Sequence, residues 1–271
     1  MGEYDHTLGL FLVGVFFNTY LYGLVTRQCC AYFTAKFQDR WLVKAMIAFM
    51  FLLDSVETIG LIYNLYDWAV TNFTNPSIVT AGNEWPYTTT PFWVGTSAIM
   101  TQFFLAWRIW SLSGNRILPA IASMLAVIAW AFCLVSGIKA TIIKQPKHLA
   151  EINGYVATWM IIQVITDLLI ATTLIVILVR SKSGLAKSLN TSIFNRLIGA
   201  AIQTGLVAGL FSVIGLTLFV LWPTSNWEAV FIPPIGGIYA ITILDTLLAR
   251  LDVRRYQRLK PRHVSTQVKC M

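Results

Sequence analysis

Seven long apolar stretches alternate with short polar segments along the chain. They cover residues 7–26, 45–66, 91–112, 117–138, 155–179, 197–222 and 229–249. A helix rises about 1.5 Å per residue, so about 20 apolar residues are enough to cross a hydrocarbon core about 30 Å thick. The pattern therefore predicts an all-α polytopic membrane protein, with a bundle of seven transmembrane helices over residues 1–250. A basic tail follows at residues 251–271 and is predicted to be cytoplasmic.

The second apolar stretch carries two acids, Asp54 and Glu57, near its middle. Each carboxylate opposes membrane insertion by about 2.5–3.5 kcal/mol, so the two together nearly cancel the gain of about 4–7 kcal/mol from the apolar residues of this stretch. The two acids share one helical face with Leu61 and Asn64. This polar face is therefore predicted to point into the bundle, away from lipid.

The basic residues fall mainly on alternate sides of the predicted helices. Four lie in the first loop, two near the end of the third helix, four in the fifth loop and seven in the tail, which leaves three of the 20 for the opposite side. Because Lys and Arg are enriched in cytoplasmic loops, this distribution predicts that the N-terminus is outside and the C-terminus is in the cytoplasm.

The composition supports a membrane location. Hydrophobic residues make up 56% of the chain, charged residues only 12%, and the mean hydropathy is +0.66, which excludes an ordinary soluble domain. The net charge of +8 comes from residues between and after apolar stretches, so it indicates membrane topology and not nucleic-acid binding. We therefore expect a multi-pass protein of the plasma membrane or an endomembrane, with the lipid bilayer as its main partner.

Two positions are candidates for covalent modification. Asn72 begins an Asn-Phe-Thr glycosylation sequon in a predicted outer loop. Cys29 and Cys30 follow the inner end of the first apolar stretch, where they are either S-palmitoylation sites or reduced thiols. No cysteine falls in a predicted outer loop, so no extracellular disulfide is expected.

Two residue patterns predict how the helices sit in the membrane and pack. Tryptophans gather at the predicted outer helix ends, as in an interfacial aromatic belt; they include Trp68, Trp222 and Trp227. In the sixth stretch, Gly205 and Gly209 follow Ala201 at four-residue spacing, which predicts close packing of helix backbones.

Polar residues inside other apolar stretches extend the candidate site. Gln102 lies in the third stretch, and Gln163 and Asp167 lie one turn apart in the fifth. Asp54 and Asp167 fall at similar depth, so together with Glu57 they are candidates to line one cavity. Three interpretations stay open: an interhelical hydrogen-bond network, a ligand, ion or proton site, and a pair of catalytic acids.

A second polar group is predicted at the inner ends of the helices. Asp245 lies near the inner end of the seventh stretch, close to Arg250 in sequence and at the predicted depth of Arg108. We expect these three residues to form a salt bridge at the inner face.

Several blocks of sequence, spaced in order, resemble a known family. They are Leu53-Asp54 with Tyr63, the run from Gln102 to Ser113, and the run from Asp167 through Arg180 to Leu197. They resemble a family of fungal seven-helix membrane proteins, expanded in mushroom-forming basidiomycetes, that ends in an uncharacterised conserved domain. The chain has Glu57 where members often have a histidine. The resemblance implies the fold and a fungal origin, and it implies no activity.

Three classes of function fit these features. The first is a receptor-like or small-molecule-binding bundle, with a small lipophilic or cationic ligand and a cytoplasmic signalling partner at the basic loops. The second is a proton-coupled carrier that uses the intramembrane acids, although the interiors of the first, second, third, fifth and sixth stretches lack the proline that often breaks carrier helices. The third is a small membrane enzyme, such as an acid-initiated terpene cyclase.

Metal and cofactor chemistry is not expected. The three histidines, His6, His148 and His263, are dispersed along the chain, and no phosphate-binding loop or nucleophile elbow is present. Of the three classes, the receptor-like or small-molecule-binding protein is favoured.

Overall fold

Seven α-helices form the fold predicted from the apolar stretches. The computed structural model describes residues 8–35, 39–72, 85–114, 116–142, 149–184, 190–222 and 227–259, and these residues contain no β-strand. The helices are α1 (Leu10–Thr34), α2 (Trp41–Tyr66), α3 (Trp85–Ser113), α4 (Ile117–Ile142), α5 (Leu149–Gly184), α6 (Asn190–Leu221) and α7 (Pro234–Leu259). The all-α prediction and its number of helices are thereby confirmed for the described part of the chain.

In the part of the chain that the structure describes, five helical segments are long and apolar enough to cross a membrane. They are Leu10–Thr34, Trp41–Thr71, Ile117–Ile142, Asn153–Ile177 and Trp227–Ala249. The described part of α6 contributes a shorter apolar segment, Gly205–Leu221. α3 is not among these spans, because Gln102 and Arg108 lower its hydropathy.

Most helices extend beyond their apolar stretches. α1 continues to Thr34, α5 to Gly184, and α7 to Leu259, inside the segment predicted to be a polar tail. Arg, Lys and Gln are good helix formers, so a helix need not end where the hydrocarbon core ends. α3 begins earlier than predicted, at Trp85, and therefore contains Pro91 in its interior.

α7 occupies the interior of the bundle. It packs against α1, α2, α3 and α6. The segment Trp227–Ala249, which contains most of α7, has the largest buried share of the five membrane-length segments. α3 is the other well-connected helix, with contacts to α2, α4, α5 and α7. Side chains on α7 are therefore within reach of polar groups on both sides of the bundle.

The chain enters α7 through a short irregular segment. The apolar pattern predicts a helix from residue 229, but Trp227–Val230 form a 3₁₀ helix and α7 begins at Pro234. Because proline lacks a backbone N–H, Pro233 and Pro234 favour a helix start at this point. The 3₁₀ helix packs against α1 so closely that a Cβ on Gly14 would overlap the Ala229 carbonyl oxygen.

Trp68 does not join the predicted aromatic belt. It is only 1% exposed and lies in a small core with Phe11, Val15, Leu61 and Ala229, its ring centroid 4.8 Å from that of Phe11. α2 continues as a π-helix over Asp67–Thr71, and Trp68 in this segment packs against Phe11 in the first turn of α1. Trp222 and Trp227 are exposed, as a belt at the membrane surface requires.

The close helix packing predicted at Gly205 and Gly209 occurs elsewhere. A Cβ built on either glycine meets no atom within 4 Å, so neither position brings two backbones together. The close approach is instead between α3 and α4, where a Cβ on Gly95 would overlap the Cys133 sulfur and lie 3.2 Å from its Cβ. The Cys133 thiol donates a hydrogen bond to the Pro91 carbonyl at 2.7 Å.

Candidate functional site

A buried polar cluster joins α3, α5 and α7 around the Asp167 carboxyl. Gln102 Nε2 donates to Asp167 Oδ1 at 2.9 Å, and the Tyr239 hydroxyl donates to Asp167 Oδ2 at 2.5 Å. Gln163 lies one turn before Asp167 on α5; its Nε2 is 2.6 Å from the Tyr239 oxygen and 3.4 Å from Asp167 Oδ1. We call these four residues the Asp167 cluster.

The Asp167 cluster links three helices through side chains that are shielded from solvent and lipid. All four of its residues are buried. A hydrogen bond between transmembrane helices contributes about 0.6 kcal/mol on average and about 1.7 kcal/mol at most, so the cluster stabilises a particular arrangement of α3, α5 and α7. Gln102 Oε1 has no hydrogen-bond partner in the described structure, which leaves a buried acceptor beside the carboxyl.

A small cavity adjoins the Asp167 cluster. Its volume is about 10 Å³, which is room for about one water molecule. Its lining residues are Thr101, Gln102, Leu105, Asp167, Ile170, Ala171, Leu174, Gly205, Tyr239 and Thr242. The lining includes Gly205 of α6, where the absence of a side chain leaves open space. The cavity thus lies among α3, α5, α6 and α7.

A second buried polar group lies on α2. Asp54 and Glu57 are each 2% exposed and share the buried face of α2 with Leu61 and Asn64. They pack against the first turn of α7: a Cβ on Gly236 would lie 3.0 Å from Glu57 Oε2. We call Asp54 and Glu57 the α2 acid pair.

Glycines of α7 and an asparagine of α1 complete the surroundings of the α2 acid pair. A Cβ on Gly237 would lie 3.7 Å from Asp54 Oδ1, so small residues in α7 are what allow the acids to fit. On the α1 side, Asn18 Nδ2 donates to Thr58 Oγ1 at 3.0 Å, and both of these residues are buried.

The three acids that the sequence suggested for one cavity lie in two separate groups. Glu57 and Asp54 contact the Gly236–Gly237 turn of α7, whereas Asp167 bonds Tyr239, two to three residues further along the same helix. The cavity at Asp167 has no lining residue from α2. α3 packs against both α2 and α5, and α7 contacts both the α2 acid pair, at Gly236 and Gly237, and Asp167, through Tyr239. A comparison of depth along the sequence does not reveal which helices face each other in this way.

Tyr239 is the member of the Asp167 cluster that the sequence interpretation missed. It lies in an apolar helix beside small residues, Gly236, Gly237 and Ala240, which is a pattern also found for tyrosines that simply fill space. The structure identifies Tyr239 as a site residue because its side chain is only 3% exposed and a buried tyrosine hydroxyl needs a hydrogen-bond partner.

At the inner ends, the structure gives Asp245 a partner that the sequence did not suggest. Gln28 Nε2 of α1 donates to Asp245 Oδ1 at 2.8 Å. The Arg108 guanidinium lies over the Phe104 ring, 5.8 Å from its centroid. The side chain of Arg250 lies outside the described residues, so its part in the predicted salt bridge stays a prediction.

The modification candidates lie in contrasting surroundings. Asn72 is half-buried, and its Nδ2, the atom that would carry a glycan, donates to Asp67 Oδ2 at 2.8 Å; Phe73 and Thr74 of the sequon lie outside the described residues. Cys29 and Cys30 lie within α1 and not beyond its end, with Cys29 buried in the core and Cys30 exposed. Of these two thiols, the exposed one is accessible for acylation.

These features define an integral membrane protein: several helices are long and apolar enough to span a bilayer, and the polar side chains within them turn toward the protein interior. Residues 163–252 contain a DUF6534 domain, described as a family of unknown function. This matched region runs from Gln163 through α6 into α7, so it holds Gln163, Asp167 and Tyr239 but not Gln102. The chain matches no curated protein and no solved structure.

Proposed function

We propose that this protein is a receptor-like seven-helix bundle that binds a small molecule at the Asp167 cluster. The observation that carries the proposal is a buried carboxyl at a cavity bordered by four helices, α3, α5, α6 and α7. Ligand sites in helical bundles are formed by side chains from facing helices, with a few polar groups that fix the orientation of the ligand. The Asp167 cluster has this composition: one acid, two amides and a phenol in an apolar surround.

The chemistry of the cavity favours a ligand that donates hydrogen bonds. Asp167 offers carboxyl oxygens and Gln102 offers Oε1, a buried acceptor with no partner in the described structure. A small lipophilic amine combines an apolar body with a cationic donor, and therefore matches both the lining and the acceptors. At about 10 Å³ the cavity is smaller than such a ligand, so binding requires that α6 move away from α3 and α5 at Gly205.

The proposed orientation places the N-terminus outside and the C-terminus in the cytoplasm. It rests on the distribution of Lys and Arg, of which 20 are present and only three fall on the predicted outer side. In this orientation α7 begins at the outer half of the bundle, near the Asp167 cluster, and ends among the basic residues of the inner side. A ligand that shifts α7 would therefore change the surface presented to a cytoplasmic partner.

The proposal is tested by thermal unfolding of the purified protein in lipid nanodiscs with a panel of lipophilic amines and their neutral analogues. A ligand that binds only the folded state raises the unfolding free energy by about 2.7 kcal/mol at 100 times its Kd. We expect amines to stabilise the wild type and Asp245→Asn, a matched change of another intramembrane aspartate, but not Asp167→Asn.

Two results would count against the proposal. One is equal stabilisation of Asp167→Asn and wild type, which would place the ligand elsewhere. The other is amine binding that survives Gly205→Val, since a valine side chain would occupy the open space at the cavity. Gly209→Val is the matched control, because Gly209 also has open space around its Cβ position but does not line the cavity.

A further inference from the structure

The α2 acid pair lies in surroundings that contain hydrogen-bond acceptors without donors. Both carboxyl oxygens of Asp54 and Oε1 of Glu57 are buried and have no partner in the described structure. Asn18 Oδ1 is likewise buried and unpartnered, while its Nδ2 is used by Thr58. Each of these four atoms can only accept hydrogen bonds. Asn64 Nδ2 is a buried, unpartnered donor on the same face of α2, but it is seven residues from Glu57, which is about 10 Å along the helix, so the group lacks a donor within reach.

Among the residues that the structure describes, side chains on the neighbouring helices do not supply this donor or a compensating charge. On α1, Tyr22 pairs with Ser55; on α7, Tyr239 donates to Asp167. The part of α3 from residue 88 to residue 107 contains no titratable side chain. Glu228, in the 3₁₀ helix that precedes α7, adds a further acid and not a base.

The basic side chains of α1 and α2 lie further along these helices. Lys44 is ten residues from Asp54, which is about 15 Å along α2. Arg27 lies near Asp245, toward the predicted inner end of α1. Neither residue reaches the Gly236–Gly237 turn where the acid pair packs.

Two ionised carboxylates at this position would be strongly unfavourable. Transfer of a single charge into a protein interior costs several kcal/mol, and Asp54 and Glu57 are close enough to repel each other. The N-terminus of α7, against which they pack, provides only about half a positive charge. A single proton removes one negative charge and turns one acceptor into a donor. It therefore relieves the charge repulsion and supplies the missing hydrogen-bond donor.

A metal ion fits these surroundings less well than a proton does. The described residues hold no group of three or more acidic, histidine or cysteine side chains placed to bind a metal ion, and Asp54 and Glu57 line neither the cavity at Asp167 nor the one between α1, α2 and α7 around Met50. The carboxyls instead pack directly against the α7 backbone at Gly236 and Gly237. A proton needs no cavity, whereas a bound sodium ion needs room and several oxygen ligands.

We propose that Asp54 and Glu57 form a proton-binding site, in which the pair shares at least one proton in the folded protein at neutral pH. This site is distinct from the ligand site proposed at Asp167 and does not depend on it. The shared proton allows the pair to pack against α7, and its release leaves two repelling charges beside the Gly236–Gly237 turn.

Infrared spectroscopy of the protein in lipid vesicles tests this proposal. A protonated carboxyl has a carbonyl-stretch band, separate from carboxylate bands, that shifts in deuterated buffer. We expect a wild-type band that is lost or reduced in Asp54→Asn and in Glu57→Gln, whose amides also provide the missing donor. The matched control is Asp245→Asn, in which the band from the pair should persist.

Three results would overturn the proposal. The first is a protonated-carboxyl band that is unchanged in the double variant Asp54→Asn, Glu57→Gln. The second, which requires no substitution, is that isotope-labelled aspartate and glutamate shift no such band in the wild type. The third is a rise in melting temperature with sodium over choline that Asp54→Asn abolishes, because this would assign the missing positive charge to a bound ion.

Discussion

The close contact between α1 and the 3₁₀ helix makes Gly14→Ala a sharp test of how the chain enters α7. The added Cβ would overlap the Ala229 carbonyl oxygen and lie 2.9 Å from the Ala229 carbonyl carbon and 3.1 Å from Val230 Cα. All three of these are backbone atoms, so no side-chain rotation relieves the overlap. The 3₁₀ helix must instead shift, and overpacking of this kind typically costs about 1–3 kcal/mol.

A matched substitution on the same helix separates this cost from the general effect of alanine. Gly→Ala in a helix interior is itself favourable by about 0.5–1 kcal/mol. Gly23 is also inside α1, and a Cβ there meets no atom within 4 Å. Gly23→Ala is therefore expected to be neutral or stabilising, and the difference between the two variants should equal the overpacking cost of about 1–3 kcal/mol.

The assay is thermal unfolding in one detergent or nanodisc preparation, followed by tryptophan fluorescence. With about 2–4 °C per kcal/mol for a chain of this size, Gly14→Ala should melt roughly 2–12 °C below Gly23→Ala. If the two variants melt at the same temperature, or Gly14→Ala melts higher, the 3₁₀ helix does not pack against α1 as described.

Further expectations concern the helix contacts and the orientation. Tyr239→Phe removes the donor to Asp167 and should lower the unfolding free energy by about 0.6–1.7 kcal/mol, measured by the same melts; no change would mean that the hydrogen bond is not formed. Gly95→Ala should destabilise the protein by about 1–3 kcal/mol through overlap with Cys133, and adding Cys133→Ala should recover most of the loss. A C-terminal epitope tag should stay inaccessible in intact cells while an N-terminal tag is accessible, and the reverse labelling would refute the proposed orientation.

The sequence predicted the interior position of the α2 acids for a physical reason. Charged groups at mid-helix are too costly to face lipid, and Asp54, Glu57 and Asn64 are indeed all buried. The number of helices followed from the apolar stretches in the same way. The sequence does not show which helices face each other, because the depth of a residue along its own helix does not determine which helix lies opposite.

The start of α7 shows a second limit of the apolar pattern. Residues 229–233 are as apolar as those that follow, so hydropathy alone merges them into one helix. The backbone changes at Pro233 and Pro234 because proline cannot donate a helical hydrogen bond. Contacts such as that of Gly14 with Ala229 then depend on the path of this segment, so they cannot be predicted from the positions of the helices in the sequence.

A single turn of α7, from Gly236 to Tyr239, contacts both buried polar groups. Its backbone supports the carboxyls of α2, and its phenol holds the carboxyl of α5. Any rotation of this turn therefore alters both environments together. If ligand binding at Asp167 changes the free energy of proton binding at the α2 acid pair, thermodynamic reciprocity requires that proton binding change the free energy of ligand binding by the same amount. The two groups are separate in space, yet they are expected to respond as one coupled unit.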